Sequence, residues 1–306
     1  MIVFDGNTLA KSRELAVHER IASQVTSQGG KIAIAAILFV EDIGSRLYTR
    51  LKKEAAQRVG IEYKVYSFSL LDNPDSIIST LQTLNADGDI TGIIIQKPWR
   101  KTWIDSRSSG NTSGNMREMN FAYNTWWNTL VEGLNPAKDV DGLHPKTRES
   151  ILAGTRVKEG RVLPATVQAI YTILEQAQLE LSFKLKEKKV GIIGTSDIVG
   201  LPLYLEMQSR GVKCELLGRK ELQAKVGAGS GLKDSDIIIS ATGIEKLITG
   251  EMVSEGCIVI DVGEPRPDVD FASVSPKASF ITPVPGGVGP LTVVSLLENA
   301  LTLFAH

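Results

Sequence analysis

Residues 190–200 read Val-Gly-Ile-Ile-Gly-Thr-Ser-Asp-Ile-Val-Gly, an apolar run followed by a turn with a glycine at each end. The apolar run predicts a buried strand, and the turn opens a helix. Similar short apolar strands, separated by helix-length segments, follow at 212–217, 236–240 and 257–261. This order predicts a nucleotide-binding type of sheet, in which helix-terminal N–H groups hold a phosphate. The turn lacks the G-x-G-x-x-G fingerprint.

The first half of the chain alternates in the same way. Apolar strands are predicted at 32–40, 62–69 and 90–96, and helices at 8–27, 45–58 and 74–84. Strands that alternate with helices indicate the α/β class. We therefore predict two domains, an N-terminal three-layer α/β domain and a Rossmann-type nucleotide-binding domain, with a cleft between them. The first domain is predicted at 1–148, the second at 149–289, and the C-terminal helix at 290–306 completes the first.

Composition excludes several classes of partner. The 306 residues include 34 basic and 35 acidic ones, so no electrostatic reason exists to expect nucleic acid or a membrane surface as a partner. The N-terminal residues show no basic segment followed by an apolar run, which predicts a cytoplasmic protein, with an organelle not excluded. Two cysteines in apolar runs and three scattered histidines predict neither a disulfide nor a metal site.

Residues 99–130 interrupt the α/β pattern. All of the tryptophans lie here, around a middle at 106–115 that is rich in serine, glycine and asparagine. A polar loop with aromatic flanks indicates either a mobile lid or a docking patch. The alternative is that the aromatic side chains pin a long insertion to the domain surface.

Four polar residues form a candidate site. Tyr48 and Lys52 are four apart on a predicted helix, so their side chains share one face. Gln96 ends a predicted strand, where open α/β sheets border their ligands. Asp141 belongs to Lys-Asp-Val-Asp-Gly at 138–142, which suits a turn, a metal ligand pair or a polar anchor. An EF-hand is excluded because the other oxygen ligands are missing.

Glycine-rich and basic segments indicate a second candidate site. Residues 283–292 contain three prolines and three glycines before an apolar helix, which predicts a shaped loop that lines a flat ligand or a tight connection. Thr292 is expected to cap that helix. Arg219 lies just after the strand at 212–217, at a position where an NAD enzyme usually carries an acidic residue. A basic residue there would suit a 2′-phosphate.

Taken together, these motifs resemble the bifunctional methylenetetrahydrofolate dehydrogenase/methenyltetrahydrofolate cyclohydrolase family over nearly the whole chain. The resemblance implies that Tyr48 stacks on folate, Lys52 is catalytic, Gln96 supports it and Asp141 holds the pterin ring, so these four form the catalytic set. It implies further substrate-binding residues at Ile95, Lys97, Pro285, Gly286, Gly287, Val288 and Gly289. It implies NADP as cofactor, bound by Gly194, Thr195, Ser196, Arg219, Thr242, Gly263 and Glu264.

The implied function is oxidation of 5,10-methylenetetrahydrofolate to 5,10-methenyltetrahydrofolate with NADP, followed by hydrolysis to 10-formyltetrahydrofolate. The resemblance also implies a homodimer that acts in one-carbon metabolism and purine biosynthesis. The chain departs from the family pattern at Lys97, where leucine is usual, and at Thr195, where arginine is frequent. The loop at 264–267 is shortened.

Three alternatives remain. A cyclohydrolase without the dehydrogenase is favoured by the short loop at 264–267. A shikimate-dehydrogenase-like oxidoreductase would leave the motifs at 138–142 and 285–290 unexplained. A non-catalytic module that docks a partner through 99–130 would have no need of the Tyr48, Lys52, Gln96 and Asp141 set.

Overall fold

The computed structural model of the protein describes residues 1–107 and 116–305, and the side chains of these residues except 26–28. The chain forms two compact units, each assembled from separate segments. Unit 1 consists of Met1–Arg13, Arg148–Arg156 and Leu163–Ser295. Unit 2 consists of Glu14–Thr147, Val157–Val162 and Leu296–His306.

Within the described residues, the strands form two sheets in which every pairing is parallel. The strands are β1 Ile2–Val3, β2 Ala33–Phe39, β3 Glu62–Phe68, β4 Gly92–Ile95, β5 Lys189–Ile193, β6 Lys213–Leu217, β7 Ile237–Ser240, β8 Ile258–Asp261 and β9 Phe280–Ile281. Unit 1 contains the sheet β1-β9-β8-β7-β5-β6, and unit 2 contains the sheet β3-β2-β4.

Helices connect these strands, as parallel pairing requires. The helices are α1 Gly6–Gln28, α2 Ile43–Val59, α3 Pro74–Ala86, α4 Arg100–Arg107, α5 Met116–Glu132, α6 Pro145–Leu152, α7 Ala165–Leu181, α8 Gly200–Ser209, α9 Arg219–Gly227, α10 Phe271–Val274 and α11 Val288–Phe304. The α/β class predicted from the alternating pattern is confirmed. No helix in the described part of the chain combines the length and apolar character needed to cross a bilayer.

The sheet of unit 1 reverses its winding direction at β5. The chain runs from β5 to the edge strand β6, then returns past β5 to β7. Connections that leave β5 and β7 in opposite directions open a crevice at the carboxyl edge of the sheet. Strands β5, β7, β8 and β9 are almost wholly buried, and the sheet forms an apolar core that includes Ile193, Leu217 and Ile238. This is the predicted Rossmann-type sheet.

Unit 2 is a three-layer arrangement around β2. Ala33, Ala35, Ile37 and Phe39 project from one face of β2 into a core shared with α3 and α5. Successive residues of a strand point to opposite faces, so Ile34 and the other even-numbered residues face the other side. Helix α2 packs against β2 and β3 and contributes nothing to that core, which places it on this second face. The predicted three-layer domain is therefore present.

Both ends of α2 are fixed by local chemistry. The Asp42 carboxylate accepts a hydrogen bond of 2.7 Å from Ser45 N, which caps the helix, and another of 2.7 Å from Trp99 N. Gly60 ends the helix with φ of 89°, a left-handed conformation that glycine adopts without strain, as predicted. Asp42 thereby ties the start of α2 to the segment that follows β4.

The aromatic flanks of the segment 99–130, for which the sequence analysis predicted no helices, form α4 and α5. Trp103 and Trp126 are buried against the core of unit 2, with ring centroids 5.7 Å apart. The Arg107 guanidinium stacks 4.1 Å from the Trp103 ring centroid. These contacts favour the alternative in which aromatic side chains pin the insertion in place. Residues 108–115, within its polar middle, lie outside the described residues.

Two details differ from the sequence expectations. Thr292 does not cap α11, because the helix begins at Val288 and the Thr292 hydroxyl donates to Val288 O inside it. Strand β1 pairs with β9 in unit 1, although residues 1–148 were expected to form one domain. The proposed domain limits stay a prediction.

Candidate functional site

Lys52 is the centre of a buried polar cluster in unit 2. It lies on α2 with 6% of its surface exposed, and its Nζ donates to Gln96 Oε1 at 3.3 Å. Burial lowers the pKa of the Lys52 amine, and the charge of Asp141 opposes this shift. A lysine with a lowered pKa is more readily present as the neutral amine that a general base requires.

Asp141 reaches this cluster through a bridge beside β4. Ile93 pairs with Asp139 in parallel, and Val140 N donates to Ile93 O at 3.3 Å. Asn299 Nδ2 donates to Val140 O at 3.0 Å from the other side. Burial raises the pKa of Asp141, while the Lys52 charge lowers it. The two groups therefore form an electrostatically coupled pair.

The two acids of the 138–142 motif have different surroundings. Asp139 is buried, and its carboxylate accepts a hydrogen bond of 2.7 Å from His144 N. Burial raises the pKa of Asp139 to about 6, although backbone N–H groups of the turn act against this effect. Asp139 shapes the turn, whereas Asp141 acts on Lys52.

Several buried polar atoms around Lys52 lack a hydrogen-bond partner among the described residues. They are Tyr48 OH, Thr49 Oγ1, Tyr63 OH and Gln96 Nε2. Buried polar groups are nearly always paired in folded proteins, so an unpaired cluster indicates that a ligand or water completes it. The structure thus brings Tyr48, Lys52, Gln96 and Asp141 into one unit around unsatisfied donors and acceptors.

The two neighbours of Gln96 point elsewhere. The Ile95 side chain is buried in the apolar core with α3 and α5, so only its backbone is available at the Lys52 face. The Lys97 ammonium lies 4.9 Å from the Trp127 ring centroid, a cation–π contact with the helix α5. The departure from leucine at Lys97 therefore coincides with the aromatic insertion.

In unit 1, the turn after β5 has the form of a phosphate-binding terminus. Gly194 adopts φ of 109°, and the turn closes so tightly that a Cβ on Gly200 would collide with Gly194 O. Ser196 Oγ accepts a hydrogen bond from Val199 N at 3.3 Å. Val199 at the N-cap gives α8 no side-chain cap, Leu201 N donates to Ser196 O at 3.0 Å, and Pro202 has no N–H.

The start of α9 carries both signs of charge. Gly218 is the N-cap, and a Cβ there would lie 3.5 Å from Thr195 Cγ2 and 2.7 Å from Glu221 Oε2. Arg219 and Lys220 are exposed beside it. The sequence analysis missed Glu221, although an acid three residues after an N-cap commonly folds back over the helix start. Its carboxylate is a possible acceptor for ribose hydroxyls.

The short loop after β8 is held by two buried carboxylates. Asp261 accepts bonds from Gly263 N, Asp268 N and Val269 N at 2.8 to 3.1 Å, and burial raises its pKa to about 6. Asp268 Oδ2 accepts from Thr242 N at 2.6 Å and from Thr242 Oγ1 at 2.9 Å. The predicted cofactor residue Thr242 is thus engaged within the protein.

The glycine loop forms the wall of a small cavity lined by residues 261–264 and 283–289. Gly286 has φ of 100°, and a Cβ on Gly287 would lie 2.5 Å from Pro283 O, so neither position accommodates a side chain. The Glu264 carboxylate lies over Gly289 in this cavity, and burial raises the pKa of Glu264 to about 7. The predicted residues at 263–264 and at 285–289 therefore lie around one cavity in unit 1.

The fit of a dinucleotide to unit 1 follows from these features. The crevice between β5 and β7 and the tight glycine turn after β5 suit a dinucleotide, and the exposed basic residues Arg219 and Lys220 suit its phosphate. Among the described residues, no group of three or more His, Cys, Asp or Glu side chains is arranged to hold a metal ion.

Comparison with known proteins gives consistent matches over the whole chain. The family model for the tetrahydrofolate dehydrogenase/cyclohydrolase catalytic domain matches residues 4–111. The model for the NAD(P)-binding domain of the same family matches residues 164–306. The bifunctional protein FolD of Helicobacter hepaticus is 34% identical, covering 98% of this chain and 95% of its own length. That of Methanosarcina barkeri is 32% identical, with coverage of 98% and 94%.

Solved structures agree. FolD methylenetetrahydrofolate dehydrogenase/cyclohydrolase from Campylobacter jejuni has a TM-score of 0.82 at 29% identity, covering 100% of this chain and 99% of its own. The Trypanosoma brucei methylenetetrahydrofolate dehydrogenase-cyclohydrolase, complexed with NADP and an inhibitor, has a TM-score of 0.82 at 25% identity, with coverage of 99% and 97%. The resemblance found in the sequence is confirmed: the chain belongs to the tetrahydrofolate dehydrogenase/cyclohydrolase family.

Proposed function

We propose that this protein oxidises 5,10-methylenetetrahydrofolate to 5,10-methenyltetrahydrofolate with NADP and hydrolyses the product to 10-formyltetrahydrofolate. The observation that carries the proposal is the buried hydrogen bond between Lys52 Nζ and Gln96 Oε1, with Asp141 coupled to the same amine. Burial of a lysine is costly, and a buried amine with a lowered pKa beside a carboxylate is typical of a functional site.

Hydrolysis requires a base and then an acid at one place. A water oxygen adds to the methenyl carbon of the cationic substrate, and the water proton passes to the neutral Lys52 amine. Lys52 then returns the proton to N5 as the bond from that carbon to N5 breaks, and the hydroxyl proton of the adduct leaves to solvent as the formyl C=O forms. Because Nζ donates one hydrogen to Gln96 Oε1, the lone pair of the amine is left free for the proton. Burial supports this cycle by lowering the pKa of Lys52.

Asp141 and Tyr48 would hold the substrate. A carboxylate accepts two parallel hydrogen bonds from the amino-pyrimidine edge of a pterin, which fixes its orientation. The Tyr48 ring shares the α2 face with Lys52 and offers a stacking surface, and its buried hydroxyl still lacks a partner among the described residues. These features support the binding of a flat ring with polar edges at the Lys52 cluster.

Unit 1 would bind NADP, which accepts the hydride when bound. Gly194, Thr195 and Ser196 with the first turn of α8 would hold the pyrophosphate. Arg219 would hold the 2′-phosphate, which a guanidinium recognises with two parallel hydrogen bonds. Gly263 and Glu264 line the same cavity as the glycine loop. Pro285, Gly286, Gly287, Val288 and Gly289 would line the folate site.

A cyclohydrolase without dehydrogenase activity is the second candidate. It is favoured by the Glu264 carboxylate, which lies in the cavity at 261–264 and 283–289 where the family has an apolar residue. A charged group there would alter the surroundings of a bound nicotinamide without touching the Lys52 cluster.

The test follows absorbance of the methenyl species with purified protein. Methylenetetrahydrofolate is supplied with NADP or NAD for the oxidation, and methenyltetrahydrofolate alone for the hydrolysis. Both activities are expected, with NADP preferred. Hydrolysis without oxidation would support the second candidate, and absence of both would contradict the proposal.

By the same family argument, we propose a homodimer that acts in the cytoplasm. Size-exclusion chromatography with light scattering would give twice the chain mass of 33.2 kDa for a dimer. A mass of one chain at micromolar concentration would contradict it.

A further inference from the structure

Tyr63 lies on the same face of the unit 2 sheet as the Lys52 cluster. It pairs with Ile34 on β2, and Gln96 N donates to Ile37 O, which sets Gln96 in line with Leu38. Positions Ile34 and Leu38 have the same parity on β2, so the side chains of Tyr63 and Gln96 project to the face that α2 covers. Tyr63 is 6% exposed.

The polar ends of Tyr63 and Gln96 are unpaired neighbours. Neither Tyr63 OH nor Gln96 Nε2 completes a hydrogen bond with another described group, and both atoms are buried. Burial raises the pKa of Tyr63 well above its usual value, while the adjacent Gln96 side chain lowers it and the Asp141 charge raises it. A buried donor beside a buried acceptor gains free energy when the two meet, since each is otherwise desolvated without compensation.

We propose that Tyr63 is a positioning residue for the Lys52–Gln96 pair: its hydroxyl oxygen accepts a hydrogen bond from Gln96 Nε2 and keeps Oε1 turned toward the lysine. This inference deepens the proposed hydrolytic function and rests on it. The Lys52 bond to Oε1 at 3.3 Å engages one end of the Gln96 amide and leaves Nε2 for Tyr63.

The orientation of the Gln96 amide decides what the lysine can do. With Oε1 toward it, the neutral amine donates one hydrogen and keeps its lone pair for the water proton. With Nε2 toward it, the amide N–H would donate to that lone pair and block the base, and it would repel the ammonium form. The oxygen and nitrogen ends of a side-chain amide have nearly the same shape, so only hydrogen bonding selects which end faces the lysine.

Tyr63→Phe tests this with the full-length protein, because it removes one oxygen and keeps the ring. We expect kcat for methenyltetrahydrofolate hydrolysis to fall about tenfold, with KM and the dehydrogenase rate within twofold. The acid limb of the hydrolysis pH profile should move to lower pH, because the flipped amide destabilises the ammonium. Asp141 is the charged group among the described residues that acts on the Lys52 pKa, and it is unchanged.

Tyr66→Phe is the matched control. Tyr66 lies on the same strand, packs against the aromatic core on the opposite face and should change neither rate. Parental hydrolysis with an unshifted pH profile in Tyr63→Phe would overturn the inference. Equal losses of hydrolysis and oxidation would also overturn it, since they would indicate a merely structural role.

A second readout is independent of activity. In protein labelled with ¹⁵N-glutamine, the Gln96 side-chain amide signal is identified with Gln96→Glu and compared between the parent and Tyr63→Phe. We expect the Gln96 signal to shift and its two protons to become more nearly equivalent. An unchanged Gln96 signal would overturn the inference even in a parent without hydrolase activity, whereas a shifted signal in such a parent would leave only the proposed function refuted.

Discussion

The Glu264 carboxylate lies directly over Gly289, so that a Cβ on this glycine would fall 2.5 Å from Glu264 Oε2. Gly289 belongs to the first turn of α11, where backbone N–H groups point outward and favour negative charge. Burial acts in the opposite direction and raises the pKa of Glu264 to about 7. The carboxyl group therefore changes its charge near neutral pH.

Glu264→Gln should remove part of the pH dependence of stability. The folded pKa of about 7 lies above the ordinary value of 4.5, so the favourable contribution is complete below pH 4.5 and is lost as pH rises through 7. Because Glu264 as a whole residue is exposed, screening by solvent reduces the effect to about 1 kcal/mol. Urea midpoints at pH 5 and pH 8 measure it, with the exposed Glu175→Gln as control. Equal pH effects in the parent and in Glu264→Gln would refute the assignment.

Lys52→Met should abolish hydrolysis of methenyltetrahydrofolate, with a loss of at least about 100-fold, because the amine that moves the proton is removed. Folate binding should persist, since the Tyr48 ring and Asp141 remain. Lys53→Met is the control, because Lys53 is the exposed neighbour on α2. Stopped-flow absorbance gives the rate and fluorescence titration gives the affinity. Hydrolysis at the parental rate would remove Lys52 from the mechanism.

Asp141→Ala should weaken folate far more than NADP, by about 2 to 4 kcal/mol, because buried donors of the pterin lose their acceptor. It should also move the acid limb of hydrolysis to lower pH, since the Asp141 charge raises the Lys52 pKa. Asp139→Asn makes a useful contrast, as its loss should lower stability through the His144 turn. Calorimetric titrations with each ligand decide this, and equal losses for both would indicate a structural role for Asp141.

Arg219→Ala should remove most of a 10- to 100-fold preference for NADP over NAD, since a charge-assisted bond to a phosphate contributes about 1.5 to 3 kcal/mol. Glu221→Gln should raise that preference, because its carboxylate over Gly218 would repel a 2′-phosphate and accept ribose hydroxyls. Lys213→Ala, at the other end of β6, is the control. A parent that binds both cofactors equally would contradict the phosphate site at Arg219.

The sequence predicted the long elements well because their patterns are local. The continuous apolar runs at β2 and β5 and the Gly60 terminator of α2 each carry their own signal. The strands β1 and β9 contain two residues each, too few to show any alternation, and they exist only because they pair with one another and β8. Helices α4 and α5 were not predicted, because the polar residues between them made the segment read as a loop.

The candidate site was only partly predictable for a related reason. Lys52 could be selected because it shares a helix face with Tyr48, and Gln96 because it directly follows an apolar strand. Tyr63 does not, since a tyrosine in a strand is an ordinary core residue until the register places its hydroxyl beside Gln96. Glu221 was overlooked because only the fold of the side chain back over Gly218 brings its carboxylate to the strand end.

The pairing of β1 with β9 has a consequence for the order of events during synthesis. Ile2 and Val3 leave the ribosome long before Phe280 and Ile281, to which they are hydrogen-bonded in the finished sheet. At about 5 to 20 residues per second, translation separates the two strands by roughly 15 to 55 s. During that interval Ile2 and Val3 have no partner strand, so this edge of the unit 1 sheet is completed only after nearly the whole chain has been made.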